Sequence, residues 1–366
     1  MGMKKNTPLI LAIDTSCDET SAAITHGDRI LSNVISSQVN LHKIWGGVVP
    51  DIARRAHQEK IDSVIEKALI LASQVYKKRI TLDNIDAIAV TFGPGLAIAL
   101  EVGIIKAKEI CQKYNKPLIA INHLEGHLLS ATAKNSLGEK GITLKNKDFP
   151  AIGLIISGKH TEIVVVNEVG DYEVVGETLD DAIGEAYDKV GRMLDLGYPA
   201  GPIVTEFAKK GDPSKYKLPV PMRNNKESLN FSFSGLKTAV YYMLKKDLGK
   251  LSEQDVYDVA ACFEKSAIAH LTDKLNTAII KYKPKTVLVG GGVASSPAVR
   301  RAIRKLCSNF GLQAHFPYSN KLYMDNGGMI GIVASYAYDR NEILKNYETL
   351  DRNPRANLGR SKSDLK

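Results

Sequence analysis

Leu9-Ile10-Leu11-Ala12-Ile13-Asp14-Thr15-Ser16-Cys17-Asp18-Glu19-Thr20-Ser21-Ala22-Ala23-Ile24-Thr25 reads as an apolar strand, a tight polar turn and a returning strand. The device recurs: Ala151 to Ile156 form a strand, Ser157-Gly158-Lys159-His160-Thr161 a turn, and Glu162 to Val166 a returning strand. A strand–turn–strand unit that appears twice predicts a duplicated α/β fold with a ligand between its halves. Hydroxyls and backbone N–H groups in such turns suit a phosphate, although an ordinary polar hairpin turn accounts for either one alone. The run Gly153 to Lys159 spells G-x-x-x-x-G-K, but His160 replaces the required Ser or Thr. Leu154, Ile155 and Ile156 belong to a buried strand, so this is no phosphate loop.

Between the two units the chain alternates. After the loop Trp45-Gly46-Gly47-Val48-Val49-Pro50, Asp51 is expected to cap a helix whose Ile61, Val64, Ile65, Ala68, Leu69, Ala72 and Val75 keep helical spacing. Ile85 to Thr91 read as a buried strand. Gly93-Pro94-Gly95 turn it into a helix from Leu96 to Tyr114, with glycines where a ligand could approach the helix N-terminus. Past the second unit, Asp180 to Lys189 open a helix on which Asp181, Glu185 and Asp188 share one face. Capping explains Asp180, whereas Asp188 lies too deep for that and is the better ligand candidate. Gly211 to Leu229, rich in Pro, Lys and Asn, are expected to form a surface excursion. A long helix spans about Asp255 to Tyr282. Thr286 to Val289 and Gly290-Gly291-Gly292 then lead into a helix capped by Ser296, with Pro297 at its first turn. The last helix opens near Asp325-Asn326-Gly327-Gly328-Met329, where Asp325 serves equally well as an N-cap or as a ligand.

His123-Leu124-Glu125-Gly126-His127 follow the strand Pro117 to Ile121, where a strand's carboxyl end turns into a helix. Histidines four apart project from one face, roughly 6 Å along the axis, and both reach one metal ion. A pair of half-exposed helix residues is the plainer account of that spacing. Zinc-protease chemistry is a poor match, because it needs glutamate directly after the first histidine. Glu125 is displaced by about 200° from the first histidine.

The hydrophobic share is 44%, ordinary for a globular protein. The sequence shows no signal-peptide cleavage pattern and no run near the ~20 apolar residues of a membrane span. Cys17, Cys111, Cys262 and Cys307 are scattered without a C-x-x-C, which suits free thiols in a reducing cytoplasm. A formal charge of +9 and a pI near 9.1 favour an anionic partner such as nucleic acid.

Taken together, Ile13 to Thr20, Gly46 to Pro50, Gly93-Pro94-Gly95, His123 to His127, Phe231-Ser232-Phe233-Ser234-Gly235-Leu236-Lys237-Thr238 and Asp325 to Met329 resemble the TsaD family. These are tRNA N6-adenosine threonylcarbamoyltransferases of the bacterial and organellar branch, once described as glycoproteases. The resemblance runs from Leu9 to about Tyr338. It implies the actin-like ATPase/sugar-kinase/Hsp70 (ASKHA) superfold, with two RNase H-like domains and a ligand cleft between them. It also implies acyl transfer from threonylcarbamoyl-AMP to adenosine 37 in the anticodon loop of tRNAs reading ANN codons. By the family pattern His123, His127 and Asp325 hold one divalent metal per subunit, iron(II) first and zinc second.

Ile155, Ile156, Ser157, Gly158, Lys159, Asp188, Gly201, Thr205 and Ser296 occupy the family's substrate-contact positions. Lys159 stands where the family has glycine, Ser296 where it has asparagine, and Thr205 where it has an acidic residue. Implied partners are tRNA, a TsaB-like paralogue, a TsaE-like ATPase and an upstream synthase, all cytoplasmic, with no membrane. The expected partition is an N-terminal domain of residues 1–121 joined by the helix at about 325–345. A second domain of residues 122–324 carries the His123 helix, and a mobile polar tail covers residues 346–366; the polar stretch Asn135 to Lys147 is the compositional boundary. Two other classes fit parts of the pattern. One is a kinase or ATPase using Asp14 near phosphate, and the other a non-catalytic scaffold.

Overall fold

A computed structural model describes residues 7–223, 225, 227–245 and 251–359. The chain divides into two compact units, residues 1–144 with 316–366, and residues 145–315. In the first, β1 (Leu9–Asp14), β2 (Glu19–His26) and β3 (Arg29–Ser37) form an antiparallel meander, while β4 (Ala87–Gly93) and β5 (Leu118–Asn122) continue the sheet in parallel. The order is β3-β2-β1-β4-β5. In the second, β6 (Ala151–Ile156), β7 (Thr161–Glu168), β8 (Asp171–Glu177), β9 (Thr286–Gly290) and β10 (Ala314–His315) lie in the order β10-β9-β6-β7-β8. Counted from the β8 edge, that is the first sheet's pattern again, so the duplicated hairpin does mark a duplicated fold.

The helices of the first unit are α1 (Val39–His42), α2 (Pro50–Tyr76), α3 (Ala97–Tyr114), α4 (His123–Leu129) and, from the far end of the chain, α10 (Gly327–Asp339). Those of the second are α5 (Ile183–Met193), α6 (Gly201–Ala208), α7 (Ser234–Met243), α8 (Glu253–Tyr282) and α9 (Pro297–Asn309). None is long and apolar enough to cross a membrane. Central strand β1 is covered on both faces, which is why it reads as an unbroken apolar run. Leu9, Leu11 and Ile13 enter a core with Ile61, Val64, Ile65 and Ala68 of α2 and Val102, Ile104 and Ala107 of α3. Ala12 faces α10. A Cβ on Gly327 would stand 2.9 Å from the Ala12 carbonyl oxygen and the Ala23 nitrogen, so α10 sits almost on the backbone of the sheet.

Several expectations change. The His123 helix belongs to the first unit, not to a second domain beginning at residue 122. Leu124 and Leu128 are buried there, and α4 packs on α10. The division falls inside the polar stretch Asn135 to Lys147, as composition indicated. Val49, not Asp51, is the N-cap of α2; Asp51 sits in the first turn, where its charge suits the helix dipole. The excursion after Gly211 lies along α8, where Asp258 Oδ1 accepts the Asp212 N–H at 2.8 Å. Lys274 Nζ donates to the Asn225 and Ser228 carbonyls, each at 2.7 Å.

Residues 360–366 of the expected mobile tail lie outside the described residues. The described part is anchored: Leu350, Ala356 and Leu358 are buried, and the Asn353 N–H donates to the Phe92 carbonyl at 2.8 Å. A Cβ on Gly93 would stand 1.9 Å from the Asn353 oxygen. Gly93 therefore admits the chain's own C-terminal segment, where a ligand was expected. Leu350, 8% exposed within the α2–α3 core, gives the check. Leu350→Ala should cost about 2 kcal/mol, read as a lower urea midpoint at unchanged m-value; an unchanged midpoint would mean that the segment does not hold the unit together.

Candidate metal centre

Short helix α4 starts where Asn122 ends β5 and accepts the Leu124 N–H through its own side chain at 2.8 Å. Helical spacing sets the His123 and His127 rings side by side, their centroids 4.7 Å apart and their planes at 81°. Gly126 lies between them. A Cβ there would meet Met329 Cγ at 3.0 Å and Ile330 Cδ1 at 3.1 Å, so its absence lets α4 close onto α10. At the head of α10 the N-cap is Asn326, whose Oδ1 accepts the Met329 N–H at 3.0 Å. Asp325 is therefore not the N-cap of α10.

Asp325 Oδ1 stands 3.3 Å from His123 Nε2 and 3.2 Å from His127 Nε2. Among the described residues these three side chains form the cluster able to hold a cation, their ligand atoms within 4.8 Å of one another. Donors on one ion at 2.0–2.1 Å stand roughly 2.9–3.4 Å apart, depending on geometry. The set fits a metal on a second ground as well. Both ring nitrogens of His127 and Nδ1 of His123 are buried without a hydrogen-bond partner, a costly arrangement in a protein interior. Glu125 is outside the cluster.

Two carboxylates near the cluster were not assigned to it from sequence. Asp14, which the kinase alternative would place near phosphate, is buried; its Oδ1 accepts the Ser16 N–H at 3.2 Å and its Oδ2 lies 3.5 Å from His123 Nδ1. Glu19 is buried too, and its pKa is raised by burial, by Asp18, and by Asp325 and Asp14. They flank the polar turn between β1 and β2, whose residue types were the available signal. Burial alone would lower the His123 pKa, but the Asp325 and Asp14 carboxylates outweigh it and raise the imidazole to about 10. Burial lowers His127 in spite of the Asp325 carboxylate 3.2 Å from its Nε2. Burial would raise Asp325, yet the charge of His123 and the closeness of both rings hold it well below the usual carboxylate range.

In the second unit the expected substrate positions gather at the carboxyl end of the sheet. Ile155 and Ile156 end β6, and Ser157 Oγ closes the turn by accepting the His160 N–H at 3.1 Å and the Lys159 N–H at 3.4 Å. Gly158 and Lys159 are exposed. Past β9, a Cβ on Gly291 would stand 2.5 Å from the Ile156 oxygen, so the glycine triplet passes against the end of β6 on its way to Ser296. Ser296 caps α9, as read from sequence. Asp188 Oδ1 accepts the N–H groups of Ala200 and Gly201, both at 2.8 Å, and so holds the start of α6. The Thr205 hydroxyl pairs with Glu264, which also accepts the Tyr187 hydroxyl at 3.3 Å. Asp180 caps a different helix from the one expected: its Oδ1 accepts the N–H groups of Phe233 and Ser234 at the start of α7. Lys237, in the same motif, pairs with Asp181 at 2.7 Å.

Residues 29–332 match the family model described as TsaD: tRNA N6-adenosine threonylcarbamoyltransferase. A tRNA N6-adenosine threonylcarbamoyltransferase of Clostridium perfringens (strain SM101) is 41% identical over 97% of this chain and 99% of that protein. One from Staphylococcus haemolyticus is 45% identical over 92% and 93%. Among solved structures, HypF of T. kodakarensis superposes with a TM-score of 0.58 at 13% identity. The match covers 92% of this chain and 48% of HypF, so the chain spans about half of HypF's length. An activator of 2-hydroxyisocaproyl-CoA dehydratase from Clostridium difficile matches at a TM-score of 0.50 and 13% identity, covering 91% and 96%. At that identity these two likenesses bear on the fold alone.

The charges fix a pH dependence. With its pKa raised from 6.5 to about 10, His123 keeps its proton at neutral pH in the metal-free protein. The stabilisation this brings is complete below about 6.5 and is lost as pH rises through about 10. A cation bound at His123 Nε2 must displace the proton, so apparent metal affinity should rise about tenfold per pH unit below that value. Calorimetry in buffers of different ionisation enthalpy should record about one proton released per ion near pH 7; no release would contradict the arrangement. His123→Ala or Asp325→Ala should strip bound metal while the circular dichroism spectrum of the fold persists, and full occupancy in either variant would remove that residue from the ligand set.

Proposed function

The chain belongs to the TsaD family of tRNA N6-adenosine threonylcarbamoyltransferases, and we propose that it carries out this acyl transfer with His123, His127 and Asp325 holding one divalent metal. The donor is threonylcarbamoyl-AMP and the acceptor is N6 of adenosine 37 in tRNAs reading ANN codons. The observation that carries the metal assignment is the meeting of two buried imidazoles with Asp325. Two neutral nitrogens and one carboxylate that leave coordination positions open favour iron(II), with zinc the alternative. Such an ion supplies Lewis-acid polarisation of the donor's carbonyl.

The chain's own residues position and hold. In the reaction the N6 lone pair attacks the carbamoyl carbon and a C–N bond forms. The C–O bond to phosphate breaks, AMP leaves with the electron pair, and an N6 proton passes to solvent. AMP is a good leaving group, so orientation matters more than a strong base. We assign adenylate contacts to Ile155, Ile156, Ser157, Gly158, Lys159, Asp188, Gly201, Thr205 and Ser296 of the second unit. Asp188 supports this role indirectly, because Oδ1 is committed to the head of α6 and sets the position of Gly201. Ser157 Oγ fixes the turn that presents Gly158 and Lys159. A TsaB-like paralogue, a TsaE-like ATPase and an upstream synthase complete the proposal, in the cytoplasm.

Incubating the chain and those partners with threonylcarbamoyl-AMP and tRNA, then digesting the tRNA to nucleosides, tests the whole reading; unmodified adenosine 37 throughout would reject it. Lys159 tests the adenylate assignment. A charge-assisted contact from its ammonium to phosphate is worth on the order of 1.5–3 kcal/mol if desolvated. Lys159→Gly should weaken binding of a non-hydrolysable adenylate analogue, more at low than at high ionic strength. Equal or tighter binding would make Lys159 a tolerated surface residue.

A further inference from the structure

We propose that the outward face of α9 is a docking strip for the phosphate backbone of tRNA. The proposal rests on the tRNA reading above and names the surface that engages it. Residues Pro297 to Asn309 carry Arg300, Arg301, Arg304 and Lys305 and no carboxylate at all. Val299, Ile303 and Cys307 are buried, and they fix which side of the helix faces the protein. Arg301, Arg304 and Lys305, with Ser308, are exposed at i, i+3, i+4 and i+7, so the three cations form one stripe on the outer side.

Helix stability alone does not account for this concentration of charge. Like charges three and four apart on a helix repel and weaken it slightly. The helix dipole rewards cations in the last turn only, and α9 has none there. Among the described residues, neither Arg301 nor Lys305 forms a salt bridge. Glu264, the carboxylate that responds to Arg301, is buried and engaged by the hydroxyls of Tyr187 and Thr205. The strip also continues past the helix. The Gln313 carbonyl accepts the Val287 N–H at 3.0 Å and the Thr286 hydroxyl at 3.2 Å, which brings the chain leaving α9 beside the exposed Lys283 and Lys285. Asp148 lies at the same end, with Oδ2 committed to the Lys145 N–H. Cations in a row on the outer side of a helix are what a polyanion's backbone recognises, without regard to base sequence.

Placement favours tRNA over a small anion. The strip begins one turn after Ser296, at the sheet end where the proposed adenylate contacts gather, and leads away from it. That is the course an anticodon stem would take with its loop at the adenylate. A single phosphate would use one or two of these side chains and leave the rest unexplained.

Filter binding of tRNA to the full chain across a salt series tests the proposal. Removing two phosphate contacts with the double variant Arg301→Ala/Lys305→Ala should flatten the log–log salt slope by about 1.4–1.8 and lower affinity about tenfold near 0.1 M salt. Alanine is a good helix former at these exposed positions, so unchanged thermal melting is expected. The charge-keeping swap Arg301→Lys/Lys305→Arg should bind as the parent does. A double-alanine variant with the parental slope and affinity would overturn the strip. So would a loss no larger than that of Lys60→Ala/Lys67→Ala on α2, which would trace the effect to net charge alone. Absence of salt-dependent tRNA binding by the parent chain would instead strike at the tRNA reading itself.

Discussion

Two buried imidazoles meet a half-buried carboxylate, and the rest of the first unit is arranged to make that tolerable. Each group would hydrogen-bond water if exposed, and each is costly to bury without a partner. Close crossing of α4 and α10 supplies the meeting, and it depends on Gly126 having no side chain to hold the helices apart. Asn326 takes over the capping of α10 and leaves Asp325 to its histidines. Asn33 Nδ2 in turn donates to Asn326 Oδ1 at 2.9 Å and ties the cap to β3. The site is thus braced from the sheet through the cap, not only from the helix that carries the histidines.

The duplicated halves have kept their topology and diverged in chemistry at equivalent turns. After β1 the turn is acidic and inward-looking. His57 of α2 grips it from outside: Nε2 lies 3.0 Å from the Cys17 carbonyl, which can only accept, so Nδ1 accepts from the Thr20 hydroxyl at 2.8 Å. Burial lowers the His57 pKa and keeps the ring in that neutral form. After β6 the turn is closed by the Ser157 hydroxyl and leaves Gly158 and Lys159 exposed. One copy of the device places Asp14 beside the His123–His127–Asp325 cluster. Its counterpart still presents the open turn that suits an anionic ligand.

Much of this was legible because it depends on local pattern. The paired apolar strands, the i, i+4 histidines and the Ser296 cap are each fixed by near neighbours in sequence, and all stand where they were read. The third strand of each meander was not seen. In β3 the run Ser32-Asn33 interrupts the apolar pattern, and β8 begins and ends on acidic residues. Contacts between distant parts of the chain were hidden for a different reason. Gly93 looked like room for a ligand because sequence does not say that Asn353 returns to fill it. Asp180 looked like a local cap, yet it caps a helix fifty residues on. Asp14 and Glu19 were seen as polar turn residues, but their nearness to His123 and Asp325 arises only when β1 and α10 are in place.

The first unit is discontinuous, closed by a segment that follows the whole of the second. On a ribosome this imposes an order of events. His123 and His127 are made early, but their carboxylate partner and the helix that packs on them are made only after residues 145–315 have been synthesised. Until then the first sheet has one face without its α10 cover. The second unit, contiguous in sequence, is free to fold on its own in the interval. A chain stopped short of Asp325 therefore lacks the carboxylate of the His123–His127–Asp325 cluster.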